Sequence, residues 1–256
     1  MNASETSSNP SVQTLKTKFR LTSKVLDSAR EKLLELLEKE DTEELVTDRK
    51  VTQEEIDEEE EVTVDDLENG IIVTRNISLD AFLKYRETGP TVKMSLLEGK
   101  VIVHEVQLGS HAVVAGEIVG QMKIWHNYLM VFSGRNVIVG RNDSFIPDGS
   151  IQPQGLPQPP AGQECDKSGW PYPTVVVEVG LSEGVKSLHS KARKYLSQRT
   201  TIQVYIAVKI FSRRRDGTRA LIAFVYERAS NNPGKPVRPV LVKSFGSHTY
   251  QNIEVF

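Results

Sequence analysis

Asp148, Glu178 and Lys191 are the residues whose types and surroundings could do chemistry in this sequence. Glu178 lies inside Thr174-Val175-Val176-Val177-Glu178-Val179, a β-branched run that reads as a buried strand, because branched side chains pack well on a pleated surface. A carboxylate in such a strand is costly unless it is paired, hydrogen-bonded or bound to a metal. Gly180 breaks the strand, and a helix carrying Lys191 follows. Asp148 follows Pro147, which has no N–H to give and cannot sit in a central ladder, so Asp148 falls at a strand edge or start. Glu117 is a fourth candidate, on the border of a helix's apolar face and one turn before Gln121. Each has a plainer reading. Asp148 can cap Ser150, Glu178 can form a strand-end ion pair, and Lys191 and Glu117 can be exposed helix residues.

The elements that must position these groups follow from periodicity. Thr22 or Ser23 caps a helix to about Glu40, with Leu26, Ala29, Leu33 and Leu36 as its apolar stripe, packing on its own domain or on a partner. Ser78 caps a short helix over 79–86. Strands follow at Lys93–Leu97 and Lys100–Val106, joined at Glu98-Gly99. Ser110 caps a helix from His111 to about His126, whose buried stripe is Val114, Ile118, Met122 and Trp125. Short strands near Leu129–Phe132 and Asn136–Val139 precede Ile146-Pro147-Asp148. Gln152–Pro173, rich in Pro, Gly and Gln, reads as a long loop. Ser182 caps the helix to about Leu196, with Leu188, Ala192, Tyr195 and Leu196 as its stripe. Thr201–Phe211 alternates, Ala220–Tyr226 returns as its hairpin partner, and Val237–Val242 adds a strand.

Composition fits a soluble globular protein with a polar tail: hydrophobic residues are 38% and charged residues 26% of 256. No apolar run approaches the roughly 20 residues that span a bilayer, and Met1–Pro10 lacks an apolar core of the secretory type. An intracellular location is expected, in nucleus or cytoplasm. The single Cys165 has neither a disulfide partner nor metal-ligand spacing. The five histidines are scattered and read as structural or surface residues. Met1–Gln13 and the acidic run Gln53–Glu68 read as disordered. The formal net charge of −2 conceals an asymmetry: 18 acidic against 4 basic residues over 31–70, and 14 basic against 4 acidic over 179–256. A basic C-terminal third suits a polyanion, or is simply a solvated rim of strands. The organisation read from this is an N-terminal extension over 1–70 and one folded domain over 71–256.

The order of helix, strands, Asp-bearing strand, Glu-bearing strand, helix and strands resembles the restriction-endonuclease-like core of the PD-(D/E)XK nucleases. Within that superfamily the chain is similar to the Uma-type restriction endonucleases. The likeness rests on Ser78-Leu79 with Phe82, Leu97-Glu98-Gly99-Lys100, His111-Ala112, Pro147-Asp148, Pro173 to Val179, and Lys191 with Tyr195. It implies an α/β fold with a mixed central sheet flanked by helices. It also implies that Asp148 and Glu178 are metal-binding carboxylates, that Glu117 completes or buffers the site, and that Lys191 supplies positive charge. Position 180 is Gly where the simple Glu-x-Lys form has Lys, and Ser187 stands where relatives often carry Asp.

The chemistry such a set would serve is phosphodiester hydrolysis, most naturally in DNA. Mg²⁺, or Mn²⁺ in its place, lowers the pKa of bound water and neutralises phosphate charge. Mg²⁺ needs only one or two carboxylates plus the phosphate. Lys191 would stabilise the developing anion, and the turn Arg213-Arg214-Arg215 is a candidate phosphate contact. Two other readings fit the same residues: a relative that binds nucleic acid without cleaving it, and an interaction protein that recruits a partner, or a second copy, through helix 22–40.

Overall fold

A computed structural model of the chain describes residues 22–43, 70–86, 92–106, 108–229 and 237–247. The N-terminal tail and the acidic run lie outside these residues. Helix α1 spans Ser23–Glu43. Strand β1 (Ile71–Thr74) and helix α2 (Leu79–Arg86) follow, then the hairpin β2 (Val92–Leu97) and β3 (Lys100–Val106). Its turn, Glu98-Gly99, has positive φ at both residues, 51° and 75°, the type I′ geometry that matches the twist of adjoining strands. Helix α3 is Gly109–Trp125, followed by β4 (Leu129–Phe132), β5 (Val137–Gly140), β6 (Asp143–Phe145) and β7 (Gly149–Pro153). The last part holds β8 (Val175–Gly180), α4 (Val185–Tyr195), β9 (Val204–Ile210), β10 (Ala220–Glu227) and β11 (Leu241–Gly246).

The strands form two sheets, β1-β3-β2-β6-β5 and β11-β10-β9-β8-β7-β4. In the second sheet β8 and β9 are parallel, with Glu178 beside Ala207, and the other pairings are antiparallel. The architecture is therefore the mixed α/β arrangement expected, with helices flanking the sheets. On β8, alternation sends Val177 and Val179 towards α3, in clusters with Met122, Ile151, Ala115 and Val208. Val176 faces the other way, in the core shared with Leu188, Ala192 and Tyr195 of α4. Glu178 shares that face with Val176, since side chains two apart on a strand point alike. The α4 stripe is thus as its sequence reads. Helices α1 and α2 cover one face of the first sheet, where Leu26, Ala29 and Leu33 are buried with Phe82, Val92, Met94 and Leu96. The apolar stripe of α1 is used on this chain's own sheet.

Four local features differ from the sequence reading. Trp125 is 69% exposed: the buried residues of α3 are His111, Ala115 and Met122, a face rotated away from Trp125. Ser110 is not the cap of α3, whose N-cap position is Leu108 with no side-chain bond. Ser182 does not cap α4 either: the N-cap is Gly184, and the Ser182 hydroxyl donates to the His104 carbonyl at 3.1 Å, tying the β8–α4 turn to β3. Ser78 does cap α2, accepting from the Ala81 N–H at 3.2 Å. The C-terminal strand begins at Leu241, with 237–240 leading into it.

The long segment after β7 is fixed rather than open. Ile138 N–H donates to the Cys165 carbonyl at 2.8 Å, and Cys165 N–H to the Trp170 carbonyl at 2.8 Å. Arg135 pairs with Asp166 at 2.8 Å and lies 4.7 Å from the Phe132 ring centroid. Among the described residues no helix is long and apolar enough to cross a membrane.

Candidate active site

Asp148 sits at the bend that opens β7, one residue before Gly149, as Pro147 dictates. β7 pairs with β8 so that Gly149 faces Val177, which brings Asp148 beside the residues following Val177. Its Oδ2 accepts from the Val179 N–H at 2.7 Å. A Cβ at Gly149 would stand 2.2 Å from a Val119 methyl, so the glycine lets α3 approach closely. That approach sets His111 Nε2 3.3 Å from Asp148 Oδ1.

The carboxylates of Asp148 and Glu178 meet at one point, and a cation stands there: the ammonium of Lys93. Its Nζ donates to Asp148 Oδ2 at 2.8 Å and to Glu178 Oε2 in a still shorter contact. All three side chains are buried, 2% exposed for Lys93, 3% for Asp148 and 0% for Glu178. Lys93 comes from β2 in the other sheet. Val92, Met94 and Leu96 point into the α1–α2 core, so Lys93 and Ser95 occupy the opposite face of the strand. Both are buried there, with Ser95 Oγ 2.8 Å from His104 Nε2.

Lys191 forms the second half of the cluster. Its Nζ lies 2.7 and 2.8 Å from the two oxygens of Glu183 and 3.6 Å from Glu178 Oε2, with both lysine and carboxylates fully buried. Glu183 also accepts from the Ser187 hydroxyl and has His104 Nδ1 at 3.3 Å. Ser187 occupies the position where the resemblance places an aspartate; the carboxylate at that point comes from Glu183, four residues earlier. Glu178 Oε1 accepts from the Tyr195 hydroxyl at 2.7 Å. At Gly180 an added Cβ would stand 2.9 Å from the Glu183 carbonyl and 3.1 Å from Leu188. The tight turn that delivers Glu183 leaves no room for a lysine at 180.

The electrostatics follow from closeness and dryness. Burial alone pushes the Asp148 carboxyl up, but Lys93 and His111 outweigh it and hold the group well below the usual carboxylate range. Burial likewise opposes charge on Glu183, and Lys191, His104 and Lys93 overcome it, so its shift is also downward. Lys93 is pushed the other way: desolvation disfavours its charge, while Asp148, Glu178 and Glu183 raise its pKa well above that of a free lysine. Burial, with Lys191 nearby, holds His104 below its ordinary value despite Glu183. Burial and the Glu178 carboxylate raise Tyr195, which therefore stays a hydroxyl donor.

Of the residues expected from sequence, Asp148, Glu178 and Lys191 are brought together. Glu117 is exposed on α3, where it accepts from Gln121 Nε2 at 2.7 Å. Arg213 and Arg215 are exposed in the β9–β10 connection, and Arg213 Nε donates to the Gly217 carbonyl. Lys93, Glu183, His104 and His111 have no spacing that singles them out; of the two readings open for the histidines, structural or surface, His104 and His111 take the structural one, buried in the cluster. The one local signal was a lysine and a serine two apart in an otherwise apolar strand.

Among the described residues no group of three or more His, Cys, Asp or Glu side chains is arranged to hold a metal. The donor chemistry of the Asp148–Glu178 pair nevertheless fits a hard cation. Two carboxylate oxygens converge, and Lys93 Nζ occupies their meeting point.

Residues 79–237 match the model of the family Uma2, described as "Putative restriction endonuclease". No curated protein matches the chain. A solved structure described as a putative nuclease belonging to DUF820, from Anabaena variabilis ATCC 29413, is similar over 66% of this chain and 84% of its own, at 16% identity and a TM-score of 0.43.

Proposed function

This chain belongs to the Uma2 family of restriction-endonuclease-like proteins, and from that premise we propose that it is a metal-dependent endonuclease hydrolysing phosphodiester bonds in DNA. The observation that carries this reading is the convergence of Asp148 and Glu178 on a single cationic point, from residues 30 apart in sequence. Asp148 and Glu178 would hold Mg²⁺ or Mn²⁺. A divalent ion bound there supplies an acidified water and neutralises charge on the phosphate. The other groups position this pair. Val179 N–H and His111 orient Asp148, and the Tyr195 hydroxyl fixes Glu178. Lys191, held against Glu183, keeps a positive charge within 3.6 Å of Glu178, where it would offset charge building on a scissile phosphate.

DNA is supported by the basic C-terminal third, whose Arg213, Arg215, Arg238 and Lys243 are exposed. Neutralising phosphates with such residues makes binding fall steeply with salt. Glu117, exposed on α3 and bonded to Gln121, has no part in the proposed site.

Plasmid nicking with Mg²⁺ or Mn²⁺ tests the reading. The wild type is expected to nick, and Asp148→Ala and Glu178→Ala to lose at least about a hundredfold in rate, as expected when an essential charged group is removed. Cleavage that persists in both variants removes the proposal. Glu117→Gln is expected to stay within about threefold of wild type. A second reading, a relative that binds nucleic acid without cutting it, is favoured by Lys93 lying where the ion would sit. Salt-sensitive DNA binding without nicking would select it.

A further inference from the structure

The Lys93 ammonium occupies the meeting point of the two carboxylates that the proposed activity assigns to a divalent ion. It is no passing surface contact. The side chain is 2% exposed and donates to both Asp148 and Glu178. It arrives from β2, in the opposite sheet, across 55 and 85 residues of sequence. Two buried carboxylates this close repel one another, and one unit of positive charge between them offsets much of that repulsion. Lys191 cannot take over this duty, because Glu183 already engages it at 2.7 and 2.8 Å.

We infer that Lys93 is a built-in cation that competes with the divalent ion for the Asp148–Glu178 pair, so that metal binding requires Lys93 to be displaced. The inference rests on the metal-site reading above, and it concerns the apparent affinity of that site. Two consequences follow from mass action. The wild type binds divalent ions weakly, since each binding event must break two charge-assisted hydrogen bonds within a dry cluster. A neutral side chain of similar length at 93 exposes the seat: the carboxylates lose their resident cation and gain from any other.

The experiment is titration calorimetry of the full chain with MnCl₂, for wild type, Lys93→Met and Lys93→Gln. Both variants are expected to bind Mn²⁺ at least about tenfold more tightly than wild type. Adding Asp148→Asn to either is expected to abolish the gain. Lys93→Met takes from two buried carboxylates the cation they share and can fail to fold without metal. Its far-ultraviolet circular dichroism with and without Mn²⁺ then gives the answer, recovery of the folded spectrum with Mn²⁺ but not with Na⁺ supporting the inference.

Affinities equal to wild type in both variants, or no recovery of Lys93→Met alongside unchanged binding by Lys93→Gln, overturns it. The two proposals separate cleanly. Wild-type nicking that depends on Asp148 and Glu178, with no gain in Mn²⁺ affinity at 93, rejects the competing ammonium and keeps the nuclease. A gain in affinity at 93, with no such nicking by wild type, keeps the competing ammonium and rejects the nuclease.

Discussion

Replacing Glu183 by Gln tests whether the inner half of the cluster is a coupled unit. Glu183 is fully buried and accepts from Lys191 through both oxygens and from Ser187. Glutamine keeps the volume and removes the charge. Lys191 then remains in the interior with its nearest carboxylate, Glu178, at 3.6 Å, and the introduced amide turns a donor towards an ammonium that cannot accept. Breaking a buried ion pair from one side costs about 3–5 kcal/mol, because the surviving charge stays desolvated. A domain of this kind has roughly 5–15 kcal/mol in total, so the loss is a large fraction of it. With urea slopes of about 1–3 kcal/mol per molar, the midpoint should fall by more than about 1 M. Far-ultraviolet circular dichroism across a urea series reads this directly. The double variant Glu183→Leu with Lys191→Met removes both charges, and it is expected to recover most of the loss. A Glu183→Gln penalty below about 1 kcal/mol, the worth of an exposed pair, would refute the reasoning, as would a double variant no better than the single one.

Other outcomes follow from the same geometry. Asp148 and Glu183 have lowered pKa values in the folded state, so the unfolded chain takes up their protons first. The stability they confer is complete above the ordinary carboxylate range and is lost as pH falls below about 4.5. His104, lowered from 6.5, acts with the same sign and earlier: stability should begin to fall just below pH 6.5, by up to about 1.4 kcal/mol per pH unit for one proton. Urea midpoints across this range check it, and a flat profile between about pH 7 and 5.5 would exclude the histidine effect. Tyr195→Phe removes the donor to Glu178 and should cost about 1.5–3 kcal/mol, the range for hydrogen bonds to charged groups, measured by the same denaturation. Burial pushes the Cys165 thiol up to about 12, so native protein should resist a disulfide reagent that labels the urea-unfolded chain rapidly. Equal rates in both states would contradict the buried placement.

Much of the scaffold was written in local periodicity. The run Val175–Val179 had to be a strand with Glu178 on one face, and Pro147 had to set Asp148 at a strand start, because both follow from backbone sterics and a period of two. The stripe of α4 was legible for the same reason at a period of 3.6. Caps were less so: serines at 110 and 182 satisfy the same local rule as Ser78, yet the β8–α4 turn spent the Ser182 hydroxyl on β3. Trp125 falls on the apolar stripe of the helical wheel yet is exposed, because the helix face that meets the sheet is chosen by docking, not by the wheel alone.

What sequence determined, then, was which residues carried charge inside apolar elements. What tertiary structure alone decided was their company. Lys93 looks like an ordinary strand lysine until the two sheets pack and carry it to carboxylates 55 and 85 positions away. Glu183 becomes the partner of Lys191 only because the turn after Gly180 closes tightly. His104 and His111 join from a strand and a helix with no spacing in common. Charges removed from water must find one another or the fold does not form; which ones meet is a property of how layers stack, and no window of neighbouring residues contains it.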